Sequence, residues 1–164
     1  MDNEDRRLIG NTPIFGGLKD STIDFLIGDF EPVRRAAGEV FFREDEPGHS
    51  VFVMRAGRVT VGKDWKNSHV VLRELKRGDC FGEMALLDQE SRSATVTAYD
   101  DSAAFEIPLI RLQQLYDRDL EQYLAIHMNM ARIVSERLRS ADDRLFELAM
   151  DSSDEGYERL FLCI

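Results

Sequence analysis

The sequence predicts a mainly β fold with flanking helices: an antiparallel jelly roll, or double-stranded β-helix, with helices before it and a long helix after it. Three features of the 164-residue chain say so. Short β-rich runs recur at regular spacing between positions 31 and 108, and glycine and acidic turns punctuate them. Beyond Pro108 the apolar spacing changes from alternation to a three-four repeat.

Ahead of the roll, Leu8, Ile9, Ile14, Phe15, Leu18, Ile23, Phe25, Leu26 and Ile27 are interrupted by Thr12-Pro13 and Gly16-Gly17. That pattern predicts two short helices packed on the roll, the second starting from a cap at Asp20 or Ser21. Strands are expected over residues 40–42, 51–54, 58–61, 70–75, 94–99 and 103–107, with a further short one ending at Phe81. Residues 63–68 read as a hairpin tip, with Trp65 covering the end of the roll or free to stack on something.

After a candidate helix over residues 110–116, the stretch 117–150 has almost no breaker. Ala131, Val134, Leu138, Ala141, Leu145 and Leu148 recur at steps of three and four, an a/d seam over most of three heptads. A helix of some 34 residues is ~50 Å long, more than a small roll can cover. The seam therefore predicts a parallel homodimer through the helix 117–150. The organisation expected is a roll with its N-terminal helices over 1–108, a helical dimerisation segment over 109–150, and at 151–164 a tail or the start of a truncated extra element.

The balance of charge excludes some functions. With 31 acidic and 21 basic residues the net charge is -10, which argues against direct nucleic-acid binding, since that draws on clustered Lys and Arg. No apolar run approaches the ~20 residues of a membrane span, and the acidic opening Met1-Asp2-Asn3-Glu4-Asp5 is unlike a signal peptide, so a cytoplasmic protein is expected. Cys80 and Cys163 make neither a disulfide framework nor a metal set; Cys80 reads as a small buried residue and Cys163 as a tail residue.

The stretch 78–98, GDCFGEMALLDQESRSATVTA, carries the chemistry. Glycine at Gly82 lets the chain turn after the strand, and Met84 to Asp88 then form one or two helical turns whose first amides are unpaired. Arg92 follows Glu83 by nine residues and precedes Ser93-Ala94-Thr95-Val96-Thr97-Ala98, a strand of small and β-branched residues that can hold it inward. An inward guanidinium needs an anion, and its planar fork matches two phosphate oxygens. Glu83 must face a donor, and a sugar hydroxyl fits. Together they describe a pocket for a ribose phosphate with a free hydroxyl. Set against this, a lone Glu and a lone Arg are more often solvated surface residues.

These residues resemble the phosphate-binding segment of cyclic-nucleotide-binding domains of the catabolite activator protein and protein kinase A regulatory subunit type. The resemblance extends upstream over Gly38-Glu39-Val40-Phe41-Phe42, residues 44–50 and 51–59, is strong from about 13 to 98, and is looser to 150. It implies that Glu83 takes the ribose 2′-hydroxyl and Arg92 the cyclic phosphate. It also implies backbone contacts at Gly82 and Ala85 beside Met84, a side-chain contact from Ser93, and an apolar wall against the base from Val61 and Leu72. For those last two, plain barrel core is an equal reading. Ser135, Arg139 and Ser140 on the long helix are candidates for the base edge. The ligand implied is cAMP or cGMP, with no metal. A relay from the pocket through the long helix to a dimer or partner would make the chain a signal-transducing sensor rather than an enzyme.

Where the activator family continues into a helix-turn-helix reader, this sequence stops, so a role as part of a Crp/Fnr-like transcription regulator is the weaker alternative. A degenerate roll that has kept the dimer helix and lost its ligand is another. A metal-dependent roll of the cupin kind would need clustered histidines, and His49, His69 and His127 are isolated from one another in sequence.

Overall fold

The computed structural model describes residues 3–28, 31–66, 68–88 and 90–151. The chain forms two compact units, residues 1–130 and 131–164. In the first, α1 (Asn3–Gly10), a 3₁₀ turn (Pro13–Phe15) and α2 (Asp20–Ile27) precede β1 (Val33–Arg35), β2 (Val40–Phe42), β3 (Ser50–Ala56), β4 (Arg58–Trp65) and β5 (Ser68–Lys76). Then come β6 (Cys80–Phe81), the single turn α3 (Met84–Leu87), β7 (Thr95–Ala98), β8 (Ser102–Pro108), α4 (Leu109–Arg118) and the start of α5 (Leu120–Asp151), whose residues from 131 on belong to the second unit.

Among the described residues two four-stranded sheets, ordered β1-β8-β3-β6 and β2-β7-β4-β5, make the roll, and every described pairing between strands is antiparallel. Inward positions of both sheets meet in a core of Phe41, Phe42, Phe52, Met54, Val59, Leu75, Phe81 and Val96. Phe52 and Phe81 stack at 5.0 Å between ring centroids, while Phe41 meets both edge-on. Such aromatic geometry adds about 1 kcal/mol per pair beyond the area buried. Ile9, Ile14, Phe15, Ile23, Leu26 and Ile27 of the N-terminal elements are all buried, as are Leu112 and Leu115 of α4, which is the expected apolar face of helices resting on a sheet.

Three expectations need correction. The cap of α2 is Lys19, not Asp20 or Ser21: the Lys19 carbonyl accepts from both Thr22 and Ile23, which places Asp20 inside the first turn. The helix expected to begin at 117 instead breaks at Asp119 (φ -152, ψ 87), so 117 and 118 close α4 and the long helix is the 32 residues of α5. Leu72 is 47% exposed, which removes it from the barrel core. It is the extra residue of a β-bulge, since Val61 pairs with Arg73 and Gly62 with Val71.

Trp65 closes β4 opposite Ser68, and what its side chain covers lies outside the described residues. The expectations for residues 152–164, Cys163 among them, also fall outside those residues. No described helix is long and apolar enough to cross a membrane. In the second unit, Leu138, Leu145, Phe146 and Leu148 of α5 are exposed apolar side chains.

Candidate functional site

The site is built where β6 ends. Gly82, at φ +82, turns the chain out of the strand in a conformation that a residue with a Cβ adopts only with strain. Glu83 then caps the single turn of α3 with helical backbone angles and no side-chain cap bond. Its side chain is turned inward: the residue is 1% exposed, although carboxylates are among the least buried groups in proteins.

Arg92 comes back to the same place from the other side. Its backbone is pinned to the loop between β2 and β3 by Asp45 N–H to Arg92 carbonyl and Arg92 N–H to Glu46 carbonyl, both 2.9 Å. Its side chain is 4% exposed. Nη1 donates to the Ser50 carbonyl at 2.8 Å and to the Gly82 carbonyl at 2.9 Å, and Nη2 donates to Ser50 Oγ at 3.2 Å. The guanidinium lies over the Phe42 ring, 4.1 Å from its centroid. Its Nε is buried without an acceptor.

Every hydrogen bond described for this cation thus ends on an uncharged oxygen. Burial pulls the guanidinium below its ordinary pKa, while Glu106 and Glu46, acting through space, push it back up. A buried cation held only by neutral acceptors is left with much of its desolvation cost uncompensated, and an anion beside it would recover that cost. The structure thus joins Arg92 to Gly82, ten residues earlier, through the Gly82 carbonyl, with the buried Glu83 next to Gly82 in the chain.

The other candidates are more loosely placed. Ser93 is exposed and its hydroxyl meets Met84 Sδ at 3.6 Å; Met84 itself is 40% exposed. Ala85 falls in the turn of α3. Val61 is half-buried and packed on the phenylalanine core, whereas Leu72 lies on β5, the edge strand of its sheet. Ser135, Arg139 and Ser140 are exposed positions of α5 in the second unit. Two residues escaped the sequence reading, Ser50 and Phe42, which orient the guanidinium. A serine opening an apolar run is a weak sign of that role, and the run Val51-Phe52-Val53-Met54 behind it was the available signal. Among the described residues there is no group of three or more His, Cys, Asp or Glu side chains able to hold a metal ion.

Comparison with known proteins bears on this arrangement. The family model described as cyclic nucleotide-binding domain matches residues 32–119, more than half of the chain. The chain is 32% identical over 143 residues to a cGMP-dependent protein kinase of Toxoplasma gondii, covering 87% of this chain and 13% of the kinase. It is 26% identical over 150 residues to the cyclic AMP receptor protein of Thermus thermophilus, covering 91% of this chain and 66% of the receptor. It thus spans only part of the length of each of these relatives. Among solved structures, a cyclic nucleotide-binding domain from Methylobacillus flagellatus superposes with a TM-score of 0.78 at 19% identity, covering 88% of this chain and 84% of that one; at that identity the likeness speaks for the fold alone.

Proposed function

Because the chain belongs to the cyclic nucleotide-binding domain family, we propose that the segment from Gly82 to Ser93 holds a cyclic nucleotide, cAMP before cGMP, and that the chain is a cytoplasmic regulatory sensor rather than an enzyme. The observation that supports it most is the Arg92 guanidinium, 4% exposed and bonded, among the described residues, only to neutral oxygens. A cyclic phosphate carries the missing negative charge and offers two oxygens to the fork, one of them for Nε. Glu83 is an acceptor beside it and suits the ribose 2′-hydroxyl. The Gly82 and Ala85 amides and the Ser93 hydroxyl complete the phosphate contacts. Val61 and Leu72 supply apolar contact to the base.

Phosphate capture would draw on α3, whose Met84 and Leu87 are exposed apolar side chains. Binding a nucleotide better in one arrangement of that turn than in another shifts the population, and this differential affinity is the signal. The output surface in this reading is α5, whose exposed Leu138, Leu145 and Leu148 form the seam of a parallel homodimer.

Calorimetric titration with cAMP and cGMP, on the native chain and on Arg92→Ala, tests the reading. The native chain should show saturable binding and a raised melting temperature with the preferred nucleotide. Arg92→Ala should lose roughly tenfold to a hundredfold in affinity, the worth of a charge-assisted clamp. Equal affinities in the two proteins, or no binding to the native chain, would refute it.

A further inference from the structure

A cavity lies within the first unit, lined in part by Glu90 and Ser91, just ahead of Arg92. It has a volume of about 550 Å³ and is walled by the loop after β2, the residues just before Arg92, α4 and the first turns of α5. Neither Arg92 nor Glu83 is among the described residues that line it.

Its walls select for a kind of ligand. Asp45 and Glu90 place two carboxylates on the rim, and neither forms an ion pair among the described residues. Asp45 holds its place with a left-handed backbone, φ 66. Deeper in, Leu109 and the buried Leu112 make an apolar floor. Tyr123 and His127, also on the wall, are in ring contact at 4.0 Å between centroids. His127 Nδ1 lies 2.9 Å from the Tyr123 carbonyl, an oxygen that can only accept. The neutral imidazole is therefore the Nδ1–H tautomer, with an accepting lone pair at Nε2.

Each alternative class of ligand meets an obstacle here. An anion would find no lysine or arginine among the described lining residues and two carboxylates instead. A metal ion would find no group of three suitable ligands among the described residues. A wholly apolar guest would strip water from Asp45 and Glu90 with nothing in return. A cation on an apolar stem is better matched: the carboxylates of Asp45 and Glu90 and an imidazole lone pair accept its N–H groups, and Leu109 and Leu112 cover its stem, which leaves His49 as the one described lining side chain that could oppose its charge.

We infer that this cavity is a second binding site, separate from the proposed nucleotide pocket, for an organic ammonium or guanidinium ion carried on an apolar stem. A free amine and the lysine side chain of a partner protein share this chemistry. The site adjoins the first through the two backbone hydrogen bonds between Arg92 and the Asp45-Glu46 loop.

The test is direct titration of the full chain, followed by NMR or calorimetry at physiological salt to suppress unspecific attraction to a protein of net charge -10. The probes are phenethylamine, its neutral counterpart phenethyl alcohol, and a blocked Ala-Lys-Ala peptide. Saturable binding of the amine, about tenfold tighter than the alcohol, is expected. The double variant Asp45→Asn, Glu90→Gln should lose that preference, and asparagine is well suited to the left-handed backbone of position 45. Arg92→Ala keeps the backbone bonds to the loop and should leave amine affinity unchanged, so failure of the nucleotide reading does not count against this site. Binding of the peptide as well as the amine would point to a protein side chain as the source, and binding of the amine alone to a free metabolite. Equal affinity for amine and alcohol, no effect of the double variant, or loss of amine binding in Arg92→Ala would each overturn the inference.

Discussion

Ser50 accepts twice from Arg92. Its carbonyl takes Nη1 at 2.8 Å and its hydroxyl takes Nη2 at 3.2 Å, so one residue at the start of β3 sets both the depth and the tilt of the buried guanidinium. Ser50→Ala keeps the carbonyl and removes only the Nη2 acceptor. Stability should fall by about 1.5–3 kcal/mol, the usual worth of a hydrogen bond to a charged group. Nucleotide affinity should fall by about threefold to tenfold, because the fork is no longer oriented before the phosphate arrives. Chemical denaturation and calorimetry read the two effects separately. A variant that unfolds earlier yet binds as tightly as the native chain would show that the hydroxyl contributes to folding alone.

Gly82 constrains the same cation from the opposite side. A Cβ built on it would stand 2.6 Å from Arg92 Nη1 and 3.2 Å from the Ser50 carbonyl, at a φ of +82. Gly82→Ala therefore combines a left-handed backbone penalty of about 1–2 kcal/mol with displacement of the guanidinium. Nucleotide affinity is expected to drop by more than about tenfold, that is by more than ~1.4 kcal/mol. Gly16→Ala is the matched control: nothing lies closer to its Cβ than 3.7 Å and its φ is -59, so affinity and melting temperature should hardly move. Similar losses from both substitutions would mean that the effect at Gly82 is not local to Arg92.

The sequence made the roll legible because its strands alternate with turn residues, and made Arg92 legible because the small residues after it read as a strand that could hold it inward. Ser50 was not legible in the same way. Its role depends on a side chain arriving from 42 residues away, which no local pattern encodes. The core reading of Leu72 failed for a different reason: strict alternation holds only while pairing is regular, and Leu72 is the extra residue of the bulge opposite Val61 and Gly62. The break at Asp119 lacks the proline or glycine that usually marks one. Its signature is instead an aspartate followed three residues later by Gln122, a start signal set inside an otherwise continuous helical pattern.

That break offers a pH-dependent test of its own. Asp119 Oδ1 accepts from the Gln122 amide at 3.3 Å and its Oδ2 accepts from Lys19 Nζ at 2.9 Å, while Gln122 Oε1 accepts from the Lys19 amide at 2.8 Å. The hydrogen bond from Lys19, helped by the Gln122 amide, holds the Asp119 carboxyl below its ordinary value of 3.8. The same bond to Asp119 raises the Lys19 ammonium above 10.5. A carboxyl depressed by folding adds stability that is fully present above 3.8 and is lost as pH falls through its lowered folded value. An ammonium raised by folding adds stability that is fully present below 10.5 and is lost as pH rises through its folded value. Between those limits the contribution is flat. Asp119→Asn keeps an oxygen to cap α5 and removes the ion pair, so it should melt slightly below the native chain throughout the neutral range. The difference should close in acid below the folded carboxyl value and narrow in strong alkali. It should also shrink with added salt, because the pair is solvent-exposed. Melting curves of both proteins across the pH range decide the matter, and a difference that stays constant into acid would mean that the carboxylate charge at 119 has no part in holding α5 to the Lys19 turn.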